Sequence, residues 1–423
     1  MRRSATVVFV ILFAAATAIL FLLLPVLLSP SPTGMQQEAP PIATPPETGE
    51  SASTAESVAK RPYRAIWISY LEWETVDFSS AAAFTADVSA MLDNCTALGI
   101  TVVIAHVRPF GDALYPSELY PFSHLCTGTQ GGSPGFDPLA ILLEEAHTRG
   151  LELEAWVNPY RLQAGGVPQS LSPDGIAAQH PDWVRSVNDG LWLCPALPEV
   201  QQYVADGVRE LCQKYEIDGI HFDDYFYPTT DSSFDGAEYE AYRNSGGTLT
   251  LDDWRRDNVS ALVRLCYQAA HSCGVRFGIA PQASLENNRN VQYSDIDLWL
   301  REPGYLDYLM PQFYWGLEYQ HNGSTEMALA DCLTAWLALP RDDSVSLYAG
   351  LGAYRIAEGD GNTASSSREW QSGTALAGQV SYLRQQGIGG IGLYRYASLF
   401  DNPEWNSLAI REQQALKALW VEE

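Results

Sequence analysis

Lysine is nearly missing from this chain of 423 residues, occurring only at Lys60, Lys214 and Lys417. Lys and Arg together number 25 against 51 acids, a formal charge of −26. Grip on nucleic-acid phosphates needs clustered basic charge, so nucleic acid is excluded as a partner. A polybasic hold on anionic lipid is excluded on the same ground. No CxxC pair or Cys spacing with a partner His suggests zinc, and the reading assigns no metal and no cofactor. Seven cysteines are an odd number; mostly buried free thiols with at most one or two bridges are expected. Apolar residues make up 46%, enough for a large core. Most of the 12 Trp and 22 Tyr belong to that core, and the rest can stack on a substrate that is neutral or partly cationic.

The N-terminus stands apart. Arg2 and Arg3 precede an uncharged run from Ser4 to Gln37, almost wholly apolar over residues 5–28. At about 1.5 Å per residue that stretch reaches about 36 Å, enough to cross a bilayer core. It is longer than a cleavable signal needs and ends in Leu-Leu-Ser-Pro without a clean cleavage site. Residues 1–28 are therefore expected to be a signal anchor, with the rest of the chain outside the cytoplasm. Cleavage would instead make the protein secreted. Residues 29–60 carry Pro30, Pro32, Pro40, Pro41, Pro45 and Pro46, an extended spacer that holds the remaining module (61–423) toward the cell wall.

Within 61–423, eight strand-like runs alternate with amphipathic stretches. The runs are 65–71, 100–107, 151–158, 219–226, 276–282, 306–315, 346–354 and 388–397. Helical stretches fill the gaps, with a short fifth link at 291–302 and a last helix near 404–420. Strands alternating with helices imply parallel pairing. Eight units predict an α/β (β/α)8 TIM barrel with enlarged loops. An open doubly wound sheet is the runner-up, but no Gly-rich phosphate loop follows the first strand.

Barrel sites sit at the C-terminal ends of strands, so the strand ends carry the functional expectation. Strand four reads Gly219-Ile220-His221-Phe222-Asp223-Asp224-Tyr225. Strand parity turns His221, Asp223 and Tyr225 inward and Ile220 and Phe222 toward the helices. A charge buried against the helices is costly, so the strand is expected to end at Asp223 and give both acids to the cleft. Two adjacent acids push one pKa up, which keeps a general acid protonated near neutrality. Asp223 and Asp224 are therefore the catalytic candidates, although Asp224 could instead cap a loop. Strand two offers Arg108 and, beyond it, Asp112; strand three offers Asn158, Tyr160 and Arg161. Such groups bind hydroxyls, carboxylates or acetamido oxygens, or else tie loops together. Gln312 and Tyr314 share inward parity on strand six, with Trp315 expected at the rim and Tyr394 at the end of strand eight.

The motifs HVRPFGDALYPSELYPFS, GFDPLAILLEEAHTRGLELEAWVNPYR, HPDWV, PEV, DGIHFDDYFYP, DDWRRDNV, FGIAPQ and YLDYLMPQFYW together resemble the bacterial glycosyl-hydrolase-like 10 family. The resemblance spans about Arg64 to Leu399. It implies a glycosidase-like barrel, an export signal and action on peptidoglycan glycan strands. Its active-site edge falls on His221, Asp223, Asp224 and Tyr225. The chain departs where the family has Gln (here His106) and His (here Glu154). Both point into the barrel on neighbouring strands and are expected to pair with each other. The loop PQASLENNR after strand five is also altered, which puts substrate contacts from it in doubt.

Glycoside hydrolysis usually takes two carboxyl groups. Strand seven ends Leu351-Gly352-Ala353-Tyr354 without an acid, and Glu72, Glu74, Asp112, Glu286 and Glu318 are the remaining choices on the loops. The alternative is a substrate-assisted route, in which the sugar's N-acetyl oxygen attacks. The segment Asp218–Asp223 is similar to part of the chitinase-like signature, whose catalytic Glu aligns with Tyr225. Tyr314 is placed like that family's acetamido-steadying tyrosine. The reading is thus a polysaccharide hydrolase using Asp223 and Asp224. Two rivals stand beside it: a glycan-binding barrel that does not cut, and a metal-dependent deacetylase built on His106, His221 and Asp223.

Overall fold

The computed structural model describes residues 61–363, 365–402 and 406–421. The expected anchor (1–28) and spacer (29–60) lie outside the described residues. Among the described residues, no helix is long and apolar enough to cross a membrane.

The strands, in chain order, are β1 (Tyr63–Ile68), β2 (Val102–Arg108), β3 (Glu152–Val157), β4 (Arg161–Gln163), β5 (Val184–Val187), β6 (Gly190–Leu193), β7 (Gly219–Phe222), β8 (Arg276–Ile279), β9 (Tyr308–Leu309), β10 (Gln312–Phe313), β11 (Ser346–Leu347), β12 (Ala349–Gly352) and β13 (Gly390–Tyr394). Ten of them form one curled parallel sheet in the order β10-β12-β13-β1-β2-β3-β7-β8-β9-β11. With helices between its strands, this α/β architecture is TIM-barrel-like. The expected runs six and seven each arrive as two short strands. Run six breaks at Met310-Pro311, where proline has no N–H to give a ladder. The three remaining strands make a small antiparallel sheet, β4-β6-β5, inserted after β3. Strands of three or four residues carry too little alternation to be read from sequence.

Helix ends follow local chemistry. The helix Ala81–Leu98 starts where Ser80 Oγ accepts from the Ala83 N–H (3.2 Å). It stops at Gly99, whose φ of 90° favours glycine. The helix Pro198–Lys214 opens with proline at its first turn and buries Val200, Val204, Val208 and Leu211. That stripe packs inward beside the helix Leu251–His271.

Along the strands, side chains alternate between two cores. Val103, Ala105, Leu153 and Ala155 join the large helix-side core. Tyr63, Trp67, Ile104, Trp156, Tyr308 and Met310 fill the interior of the curl. None of the seven cysteines is in a disulfide, and all except the half-buried Cys273 are buried.

Candidate active site

The acids come from the end of β7. The strand stops at Phe222, one residue earlier than expected, and the backbone leaves the ladder. Asp223 and Asp224 therefore escape strict alternation, and both lie at the mouth of the curl with 5% and 8% exposure. Asp223 Oδ2 accepts from Asn158 Nδ2 at 2.8 Å, and its Oδ1 from the Tyr225 N–H at 3.3 Å. Asp224 accepts from two side-chain amides: Gln282 Nε2 at 2.9 Å and Gln312 Nε2 at 3.0 Å. Burial, then the neighbouring Asp224 charge, pushes Asp223 up to about 7. Burial also raises Asp224, but its two glutamine donors pull it back toward the carboxylate. Both carboxyls are thus pushed toward the protonated form, Asp223 with no side-chain amide on its Oδ1 and Asp224 against the pull of two glutamine donors.

Arg161, at the start of β4, supplies the positive charge. Its field favours ionisation of both acids. Its Nε donates to the Pro109 carbonyl (3.0 Å). Its guanidinium lies over the rings of Phe110 (4.8 Å), Tyr225 (5.4 Å) and Tyr70 (5.6 Å). Tyr225 forms an exposed rim. On the other side, Tyr314 and Tyr394 stack with centroids 5.5 Å apart, and Tyr354 stands at right angles to Tyr314. Asn158, Arg161, Tyr225, Gln312, Tyr314 and Tyr394 therefore gather around the acids as the sequence predicts.

Five other candidates do not. Arg108 faces the helices: its guanidinium lies over Tyr120 (4.3 Å) beside Gly207 of the helix Pro198–Lys214. The cause is a bulge. His106 pairs with Trp156 but Arg108 pairs with Val157, so one extra residue reverses the alternation. Asp112 is fully buried, and its Oδ2 holds His124 Nδ1 and Gln130 Nε2 inside its own loop, both at 3.2 Å. Tyr160 is fully buried in the helix-side core. Trp315 packs against that same core, with Arg355 over its ring at 5.6 Å. His221 points inward as expected, but below the acids, and both its nitrogens are used. Nε2 accepts from Trp67 Nε1 (3.2 Å), and Nδ1 donates to Tyr308 Oη (2.7 Å), whose own proton goes to Glu154.

The expected His106–Glu154 pair is absent. Glu154 is bonded by Tyr63 Oη (2.9 Å), Tyr308 Oη and Arg276 Nε (2.7 Å). His106 lies two residues further along β2 than the partner of Glu154, Ile104, and stacks on Trp156 instead. Glu72 is closed off as a second catalytic carboxyl. It caps its own helix through Ser69 and bonds Arg395 and the Ala397 N–H.

Gln282 is the residue that sequence reasoning left out. It ends the β8 run, pairs in register with Gln312, and has its Oε1 fixed by Asn287 Nδ2 (3.1 Å). The strand-end rule that selected Gln312 would have found it. Among the described residues, no three His, Cys, Asp or Glu side chains come together to hold a metal ion. The His106, His221 and Asp223 set is not assembled, because His221 is spent on Trp67 and Tyr308.

Comparison with known proteins gives the family and the fold. The family model described as glycosyl hydrolase-like 10 matches residues 62–369. The glycosyl hydrolase YngK of Bacillus subtilis is 35% identical over 326 residues, which is 71% of this chain and 62% of YngK. The match thus spans less than two thirds of that relative's length. The glycosyl hydrolase DigH of Escherichia coli strain K12 is 33% identical over 354 residues, 75% of this chain and 79% of DigH. The PgaB (BpsB) glycoside hydrolase domain from Bordetella bronchiseptica shares the fold, with a TM-score of 0.53 at 13% identity. That superposition covers 82% of this chain and 98% of that domain. The chain belongs to the glycosyl hydrolase-like 10 family.

Proposed function

We propose that this protein cleaves the glycan strands of peptidoglycan from outside the cytoplasm, held at the membrane by residues 1–28 on a spacer over 29–60. We read its curled sheet as a (β/α)8 barrel in which strands six and seven are each interrupted. The observation that carries the reading is the pair at the end of β7. Asp223 is buried, with its pKa raised to about 7, and Asp224 is held by two amides.

In this mechanism Asp223 gives its proton to the glycosidic oxygen as the bond to C1 breaks. With Glu72 and Asp112 committed to structural bonds, the N-acetyl oxygen of the sugar supplies the attacking pair and closes a ring on C1. Asp224 accepts from the acetamido N–H and steadies the positive charge that develops there. Tyr314, backed by Tyr394, bounds the acetamido pocket. Asp223, now a carboxylate, then takes a proton from the water that opens the ring.

The test is incubation of the protein with purified peptidoglycan, intact and stripped of stem peptides, followed by mass spectrometry of soluble products. Fragments from the wild type and none from Asp223→Asn support the reading. Retention on the wall without fragments moves it to a binding module.

A further inference from the structure

Four polar atoms near the acids are buried without a close hydrogen-bond partner in the protein: Nδ1 and Nε2 of His106, Oδ1 of Asn158, and Nε1 of Trp156, whose N–H is turned toward the Asp223 carboxylate and favours its ionisation. Leaving such an atom unpaired is costly. Four in one place mark a spot where something polar binds. They belong together. His106 and Trp156 are ladder partners on β2 and β3, and their rings lie flat at 3.7 Å with 8° between planes. Asn158 follows Trp156 by two residues, and its amide nitrogen holds Asp223.

The chemistry of the set is specific. Burial and the charge of Arg161 keep His106 unprotonated, so it offers one donor and one acceptor. The Trp156 indole adds a donor and the Asn158 carbonyl an acceptor. An anion would call for donors alone and a cation for acceptors alone. Two of each suit hydroxyl groups, which both give and accept. The flat His106–Trp156 pair adds an apolar face. Above it, Tyr70 sets its edge against His106 at 5.8 Å, and Arg161 lies over Tyr70 and the exposed Tyr225.

We infer that His106, Trp156 and Asn158 form a hydroxyl-recognition floor for the sugar ring whose leaving oxygen Asp223 protonates. The inference rests on the glycosidase reading and adds the residues that select the sugar. His106 binds substrate here and takes no part in the proton transfer.

The test uses the full-length Asp223→Asn protein in detergent, which binds without cutting. It is titrated by calorimetry with chitopentaose and with peptide-free peptidoglycan strands. His106→Phe in this background keeps the stack on Trp156 and removes both nitrogens. It is expected to weaken binding about tenfold or more, whereas His106→Gln, which restores a donor and an acceptor, stays within about threefold of the parent. If His106→Phe does not fold, Trp156→Phe removes the indole N–H and narrows the stacked face, and is expected to weaken binding in the same direction. Unchanged affinity in the folded Phe variants overturns the floor and leaves the four atoms as a water site. No saccharide binding by the parent overturns the glycan reading and the floor with it.

Discussion

Asn158 Nδ2 donates to Asp223 Oδ2 across 2.8 Å, joining the end of β3 to the end of β7. The bond orients the carboxyl group, whose other oxygen accepts from the Tyr225 N–H. A donor to a carboxylate favours its ionised form and so opposes the rise in pKa that burial imposes. A general acid needs both effects in balance, since it must hold its proton near neutrality and still release it.

The first prediction is a pH limb. Asp223 must be protonated to act, so kcat/KM on glycan strands falls as pH rises through about 7. Asp223→Asn abolishes cleavage with the far-ultraviolet spectrum unchanged. A wild-type rate that stays flat from pH 6 to pH 9 would remove Asp223 from the role of acid.

Stability should show the same ionisation. The folded pKa lies above the unfolded carboxylate value, so Asp223 favours folding most below the unfolded value. That contribution is lost as pH rises through about 7. The melting temperature of the wild type should therefore drop relative to Asp223→Asn between pH 5 and pH 8. Parallel melting curves across that window would contradict the burial of a titrating carboxyl.

Removing the donor should raise the pKa further. Asn158→Ala deletes a hydrogen bond to an ionisable partner, worth about 1.5–3 kcal/mol. The activity is expected to fall about ten- to a hundredfold, with the alkaline limb moved upward. A drop in rate with an unmoved limb would mean that Asn158 acts on the substrate alone.

Gln312→Leu acts on the other acid. It strips Asp224 Oδ1 of its donor and leaves only Gln282 on Oδ2. Asp224 then ionises at higher pH, and the acidic limb of the rate profile shifts upward. An unshifted acidic limb would show that Asp224 does not work as an anion.

Lower in the barrel, Glu154 should matter for folding and little for chemistry. Glu154→Gln breaks its pair with the half-buried Arg276, which keeps Glu152, and weakens the bonds from Tyr63 and Tyr308. Weakening hydrogen bonds to a charged group costs about 1.5–3 kcal/mol, a fall of roughly 3–10 °C in Tm. Thermal melts and KM at low temperature check this together; an altered KM with an unchanged Tm would place Glu154 in the binding machinery.

The fold and part of the site were legible because both rest on repeating patterns. Strand–helix alternation predicts parallel strands, and strand parity selects Asp223, Gln312 and Tyr314 as inward-facing. The strand-end rule fails at Arg108 because a bulge at Val107 and Arg108 inserts one residue, and no local composition announces a bulge there. Parity also fails to separate depth from direction. His221 points inward as expected, yet one layer too low, where Trp67 and Tyr308 take both nitrogens.

The amino-acid order alone thus determines the class of fold, its family and the pair of acids, because period, motif and charge are local properties of a chain. Only the tertiary structure decides which polar side chains are already spent. Glu154 finds Tyr63, Tyr308 and Arg276, while His106, one layer above, finds the flat face of Trp156 and the edge of Tyr70. Hydrogen-bond partners from strands up to 245 residues apart converge at those layers, and register between distant strands is set by packing of the whole curled sheet rather than by any segment of it.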